Sequence, residues 1–289
     1  MSWVDAVIQG ILLGGLFALF ACGLSLIFGV MEVINIAHGD MAVAAGYLAV
    51  VLIPITHIPA IWAFVIVVPI FMAGGYLLQR GILQRSLDSG VLTTILVTFG
   101  ISIVLENVLL RVFTANGHSL NIGSLVSESF KVGQQIHIAY LSVIILGAAV
   151  VALAGLQLFL SRTGTGRLIR AIADDKEAAE LVGADHRHMF GIAAALAFGT
   201  MALAGLALSM YSQIDPTAGP NYLIYAFEAV VIGGLGSLWG TLLGGIVLGI
   251  ATTVGYHVSS NFGALGPHVV FLGVLAFRPQ GLWPKRARA

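Results

Sequence analysis

The stretch "AVIQGILLGGLFALFACGLSLIFGVMEVINIAHGDM", residues 6–41, decides the fold. Its first part, Ala6 to Met31, carries no charge and is longer than the roughly 20 apolar residues that cross a bilayer. Its second part gathers Glu32, Asn35, His38 and Asp40 with no Lys or Arg beside them. A charged side chain at the bilayer centre costs about 2.5–3.5 kcal/mol even on lenient insertion scales. The segment therefore reads as a non-helical break, packed against protein or lining a wet path. Asn35 is placed to cap the helix that follows. His38 and Asp40 then fall in its first turns, where the helix dipole favours the carboxylate. Gly39 permits close approach of another backbone. Bracing the break and lining a path both remain open as roles. Acid–base catalysis by the His–Asp pair is disfavoured, since no nucleophile or metal constellation accompanies it.

The rest of the chain agrees with this opening. Of 289 residues only 9% are charged and 58% are hydrophobic, and the mean hydropathy is +1.00. Average soluble domains carry about 25% charge. Met41 to Gln79, Val132 to Ser161, His188 to Ile214 and Ala229 to Phe277 are likewise uncharged. The expected fold is an all-α polytopic membrane protein, a single membrane-spanning domain over 1–289. Helices are expected near 6–28, 38–53, 60–79, 91–113, 138–160, 189–212, 222–235, 237–257 and 264–277, the second, seventh and ninth short for full crossings. Unalternating apolar runs of this length exclude a β-barrel. The N-terminus lacks the basic region of a cleavable signal. Cys22 is a lone packing residue inside the first span. A net charge of zero leaves no nucleic-acid footprint.

Orientation follows from the basic residues. Arg80 and Arg85 are read as one short loop. Arg162, Arg167, Arg170, Lys176 and Arg187 form a second group, and Arg278, Lys285, Arg286 and Arg288 a third. The three groups hold eleven of the thirteen Lys and Arg residues. Even numbers of expected helices separate them, so all three, with the C-terminus, are expected in the cytoplasm. The loop near 114–137, with Asn116, Asn121 and Ser124, is then outside.

Residues 162–188 form the one long hydrophilic connection. Its centre reads as a short helix. Asp174 is expected to cap it with Glu177 three residues on, Ala178, Ala179 and Leu181 favour it, and Gly183 suits the left-handed position after it. Ile172, Ala179 and Val182 make an apolar side; Asp175, Glu177 and Glu180 are charged. So short a helix does not persist alone in water, which points to a docking element rather than a solvated connector.

Three blocks carry a family resemblance: "GLSLIFGVMEVINIAHGDMAVAAGYLA", with its G–x–x–x–x–I–N–x–A–H–G–[DE] run, "LTTILVTFGISIVLEN", and "GRLIRAIADDKEAAELVGADHRHMFGIAAALAFGTMALAGLAL". The later "VIGGLGSLWGTLLGGIVLG" fits as well. The chain resembles the permeases of branched-chain (hydrophobic) amino acid ABC importers of bacterial and archaeal inner membranes, the shorter type in particular. The resemblance implies a second permease subunit, identical or homologous, two cytoplasmic ATPase subunits and an extracytoplasmic substrate-binding protein. No Gly-Lys pair occurs anywhere, so there is no phosphate-cradling loop. ATP and Mg then belong to partner subunits, no cofactor is expected on this chain, and the chain itself is not expected to be an enzyme. Asp174, Asp175, Glu177, Ala178, Glu180, Leu181 and Gly183 are the expected ATPase contact.

Further polar residues lie in apolar helices. Thr94, Thr98 and Ser102 share a face at i, i+4, i+8, and Glu106 lies one turn on. They either line a path or bond neighbouring helices. Glu228 is read as starting a short helix, as a cap or facing a cavity. Gly236, Gly240 and Gly244 read as a helix-packing ridge, with Gly245 and Gly249 beside it. A mostly apolar path with hydroxyls and an amide would pass small apolar amino acids, and equally urea, amides or small aromatic acids. A stand-alone facilitator for a small polar solute and an ion-coupled transporter are the rival readings, the latter resting on Glu32, Asp40, Glu106 and Glu228.

Overall fold

The computed structural model describes residues 2–123, 128–132, 136–181 and 183–283. Ser124, Val182, Lys285, Arg286 and Arg288, singled out above, lie outside them. Eight helices among the described residues are long and apolar enough to cross a membrane. They divide by burial. Helix α1 (Trp3–Met31) and α9 (His186–Tyr211) form the centre, with 83% and 78% of their most apolar windows buried. Helix α5 (Val91–Phe113), α6 (Tyr140–Arg162) and α12 (Ser260–Phe277) stand outside, between 11% and 22% buried. A membrane protein tolerates this because lipid is as apolar as a core. The outer helices expose Leu96, Val104, Val151 and Leu272.

The centre is held by small residues. Helix α11 (Leu238–Val258) lies along α1, where Gly245 and Gly249 meet the backbone of Gly14 and Gly10. Helix α2 (His38–Thr56) crosses α9 so closely that a Cβ on Gly205 would collide with the Ala42 carbonyl. The expected ridge at Gly236, Gly240 and Gly244 divides. Gly240 and Gly244 pack on α10 (Gly219–Gly233), against Gly233 and Ala229. Gly236 precedes α11, in a turn with φ +75° beside Gly29. The ridge thus packs within the subunit.

Four expectations need correction. Arg80 and Arg85 are not in a loop: α3 (Ala63–Leu78) continues through a π-helical turn (Gln79–Leu83) into α4 (Gln84–Asp88). Two exposed cations at the end of a span read like a loop by composition, although long side chains reach the interface from a helix. The loop read as 114–137 carries an antiparallel hairpin, β1 (Ser129–Val132) and β2 (Ile136–Ala139), whose His137 carbonyl accepts from Gln9 Nε2 at 2.7 Å. The hydrophilic connection holds two helices, α7 (Gly164–Asp174) and α8 (Lys176–Leu181). Asp174 ends α7 and so does not cap α8; Asp175 does, its Oδ1 accepting from the Ala178 N–H at 3.0 Å. Fourth, Glu228 lies inside α10, not at its start.

Two segments interrupt the bundle. Residues 32–37 are non-helical, and His38 begins α2 at the level of Phe20, whose carbonyl its Nε2–H reaches at 2.7 Å. Phe20 is well inside α1, so α2 starts partway through the bundle. The second is 212–218. Ile214 pairs with His118 and accepts from the Tyr47 hydroxyl at 2.8 Å; five residues later Gly219 lies against Gly39. The chain after α9 thus descends from the Tyr47 level to the start of α2, where the 15-residue α10 begins. Segment and half-helix together make the crossing that α10 is too short to make alone. Beyond α12, the backbone N–H of Trp283 donates to the Gly233 carbonyl at the far end of α10.

Candidate functional site

The two interruptions bring two helix N-termini together inside the bundle. Asp40 is in the first turn of α2, and Oδ1 of its side chain occupies the space a Cβ on Gly219, the first residue of α10, would need. Helix N-termini carry roughly half a positive charge each. Buried Asp40, at 1% exposure, is set between two of them rather than beside a cation. That arrangement explains how the sequence keeps an acid in an apolar environment with no Lys or Arg nearby. Oδ1 makes no hydrogen bond.

Helix α5 supplies the rest. Its buried residues are Thr94, Thr98, Ser102 and Leu109. An otherwise lipid-facing helix has turned its hydroxyl face inward. The Ser102 hydroxyl donates to Asp40 Oδ2 at 2.5 Å. The Ile36 N–H, freed by the break, donates to Thr98 Oγ1 at 3.2 Å, and the Thr98 hydroxyl donates to the Ile95 carbonyl at 3.0 Å. Asn35 folds the break into a turn: its Oδ1 accepts from the Ala37 N–H at 3.1 Å, and its backbone carbonyl accepts from His38 N–H. It thus organises the approach to α2 from two positions before the cap, which is Ala37 and makes no side-chain cap bond, so Asn35 does not cap the helix as expected.

Asn35, Thr94 and Thr98 line a cavity of about 20 Å³, with Gln79, Leu83 and Phe198. That volume is about what one water needs. The seam between α5 and the break is therefore closed.

The other sequence-selected residues fall elsewhere. Glu32 is exposed at the C-terminus of α1 in a left-handed conformation, φ 55°. His38 is wholly buried and faces α1. Glu106 is partly buried, a turn beyond Ser102. Glu228 is 3% exposed and pairs with His268 Nδ1 of α12 at 2.5 Å. Sequence reading missed His268 and the buried Gln79 and Gln84. The signal for the first was a histidine inside the Ala229–Phe277 run and an unpaired-looking glutamate just before it.

At the basic end, α8 is fixed by packing and by its ends. Ile172 and Ala179 are buried. Gly183 takes φ +89° and its N–H bonds the Glu180 carbonyl at 2.9 Å. Glu180 pairs with His186, and Arg187 reaches Asp88 at 3.2 Å. Asp185 caps α9 by accepting from His188 N–H at 3.1 Å, and that bond holds its carboxyl below the ordinary range. Leu181, by contrast, is 89% exposed.

The family of the "Branched-chain amino acid transport system / permease component" matches residues 6–277. The chain is 30% identical to the high-affinity branched-chain amino acid transport system permease protein BraD of Pseudomonas aeruginosa, over 97% of this chain and 95% of that one. It is 26% identical to LivH of Escherichia coli K12, over 98% and 96%. A probable LivH of Methanocaldococcus jannaschii is 24% identical over 98% and 94%. These matches run through the break, the α5 face and the α7–α8 segment alike, and the chain belongs to the family of permease components of branched-chain amino acid transport systems.

Proposed function

We propose that this chain is the membrane subunit of an importer for branched-chain amino acids, with ATP hydrolysed by separate cytoplasmic subunits and substrate delivered by an extracytoplasmic binding protein. The single observation that carries the reading is the closed seam where the N-termini of α2 and α10 meet the hydroxyl face of α5. A zwitterion shedding water needs replacement hydrogen bonds, or pays several kcal/mol. Asn35, Thr94, Thr98 and Ser102 offer them without fixed positive charge, so substrate is not held tightly enough to stall. At about 20 Å³ the seam admits no amino acid; passage requires α5 to separate from the break. The three basic groups lie on the cytoplasmic side in this reading, and exposed Leu181, on a helix braced by Asp175, Glu180 and Gly183, is the contact through which the ATPases move the bundle. Glu177 and Ala178 lie on that helix too. The second permease subunit packs against the outer helices.

The test is co-purification. The tagged chain, expressed with the ATPase and second permease genes of its own transport system, is expected to carry both ATPases through affinity and size-exclusion steps in detergent. A homogeneous chain that emerges without them would overturn the reading.

A further inference from the structure

A second cavity, of about 270 Å³, opens at the end of the bundle that bears α7. Nothing in the transport reading uses it. Ser25 of α1, Gln157 of α6, Arg170 of α7 and Ser237 at the head of α11 are in its wall, and Trp239 and Trp283 flank it. Two of these groups are unsatisfied. Ser25 is 1% exposed and its hydroxyl makes no hydrogen bond. The Nε of Arg170 is buried and makes none either. Buried polar groups normally have partners, and each exception asks for one. The donors here suit an anion: a guanidinium, hydroxyls, an amide and the positive end of the 21-residue α11. The two tryptophans are 42% and 60% exposed, as interfacial aromatics are. Apolar Leu26, Leu160 and Leu238 line the remainder, and α6 faces lipid on its other side.

We propose that this cavity binds the phosphate of an anionic phospholipid, taken from the leaflet at the basic end of the bundle, with its glycerol stem against the leucines. Anionic headgroups are the ligands that basic pockets between membrane helices recognise on the cytoplasmic side. The apolar walls favour a phosphate carried on a lipid over a free one. Bound there, the lipid would tie α7 to α1 and α11.

The full chain, purified in mild detergent, is titrated with phosphatidylglycerol or phosphatidylcholine and read by native mass spectrometry. Phosphatidylglycerol is expected to be retained about tenfold more strongly, and Arg170→Gln to remove that preference, as loss of one charge-assisted bond implies. Ser25→Leu, which fills the cavity and keeps the charge, should lower retention as well; each variant is accepted only with an unchanged size-exclusion profile. Should both variants misfold, Gln157→Leu and Ser237→Ala take their place, with the same loss expected. Equal retention of the two lipids overturns the proposal. So does a preference abolished by replacing Lys285, Arg286 and Arg288 with Gln but untouched by the cavity variants, since that marks surface charge. Inorganic phosphate that protects against thermal unfolding as fully as the lipid does would assign the site to a soluble anion instead.

Discussion

Thr98 makes two hydrogen bonds, one to the broken backbone and one within its own helix. Thr98→Val keeps the volume but leaves the Ile36 N–H unpaired, at a cost of about 1–3 kcal/mol if that group stays dry. The expectation is a folded protein with transport reduced several-fold and the binding protein's affinity unaltered. Uptake at the normal rate with Val at both Thr94 and Thr98 would mean that this face only packs. Gly39 is a separate residue-scale test. Its Cα lies against the Gly219 carbonyl, and a Cβ would collide there. Gly39→Ala should abolish accumulation in the membrane, whereas Gly74→Ala, which meets nothing within 4 Å, should accumulate normally; equal levels of the two in a membrane blot would contradict the close crossing.

Helix α8 gains its order from its ends and from Ala179, which leaves Leu181 free to meet a partner. Leu181→Asp should leave expression intact and reduce ATPase recovery in pull-downs by tenfold or so, if Leu181 is a buried anchor of that interface. Unchanged recovery would remove α8 from the contact. The head of α9 gives a pH prediction. Asp185 has its carboxyl lowered by the His188 N–H, so its stabilising effect is present at neutral pH and lost as pH falls through the lowered value. Against Asp185→Asn, the wild type should be more stable by a few tenths of a kcal/mol at pH 7, and the gap should close below about pH 4. A thermal-melt difference that does not change over this range would contradict the charged cap. The helices were legible because lipid demands long uncharged runs, and the Thr94–Thr98–Ser102 face because helical spacing displays it. The π-turn after α3 was not, because Arg80 and Arg85 carry the same signature in a helix end as in a loop. Nor was the cap: Asp174 and Asp175 are chemically equivalent candidates, and the choice between them depends on where α7 ends. The Glu228–His268 pair joins helices forty positions apart, a distance at which periodicity says nothing.

For the molecule as a whole, the break at 32–37 and the descent at 212–218 matter together. Each alone would leave polar backbone in an apolar environment; meeting, they set Asp40 between two helix dipoles and give α5 a polar partner. The sequence announced the first, because four polar residues crowd it. It concealed the second, which falls between the helices expected near 189–212 and 222–235. In the proposed mechanism this seam is an amino acid path opened by ATP hydrolysis on other subunits. The direct measurement is uptake of labelled leucine into proteoliposomes holding the permease and ATPase subunits, with binding protein outside and ATP within. Uptake is expected to require ATP and binding protein, to survive dissipation of ion gradients by ionophores, and to fall with Thr98→Val. Leucine uptake by this chain without ATP, driven by a proton or sodium gradient, would contradict it.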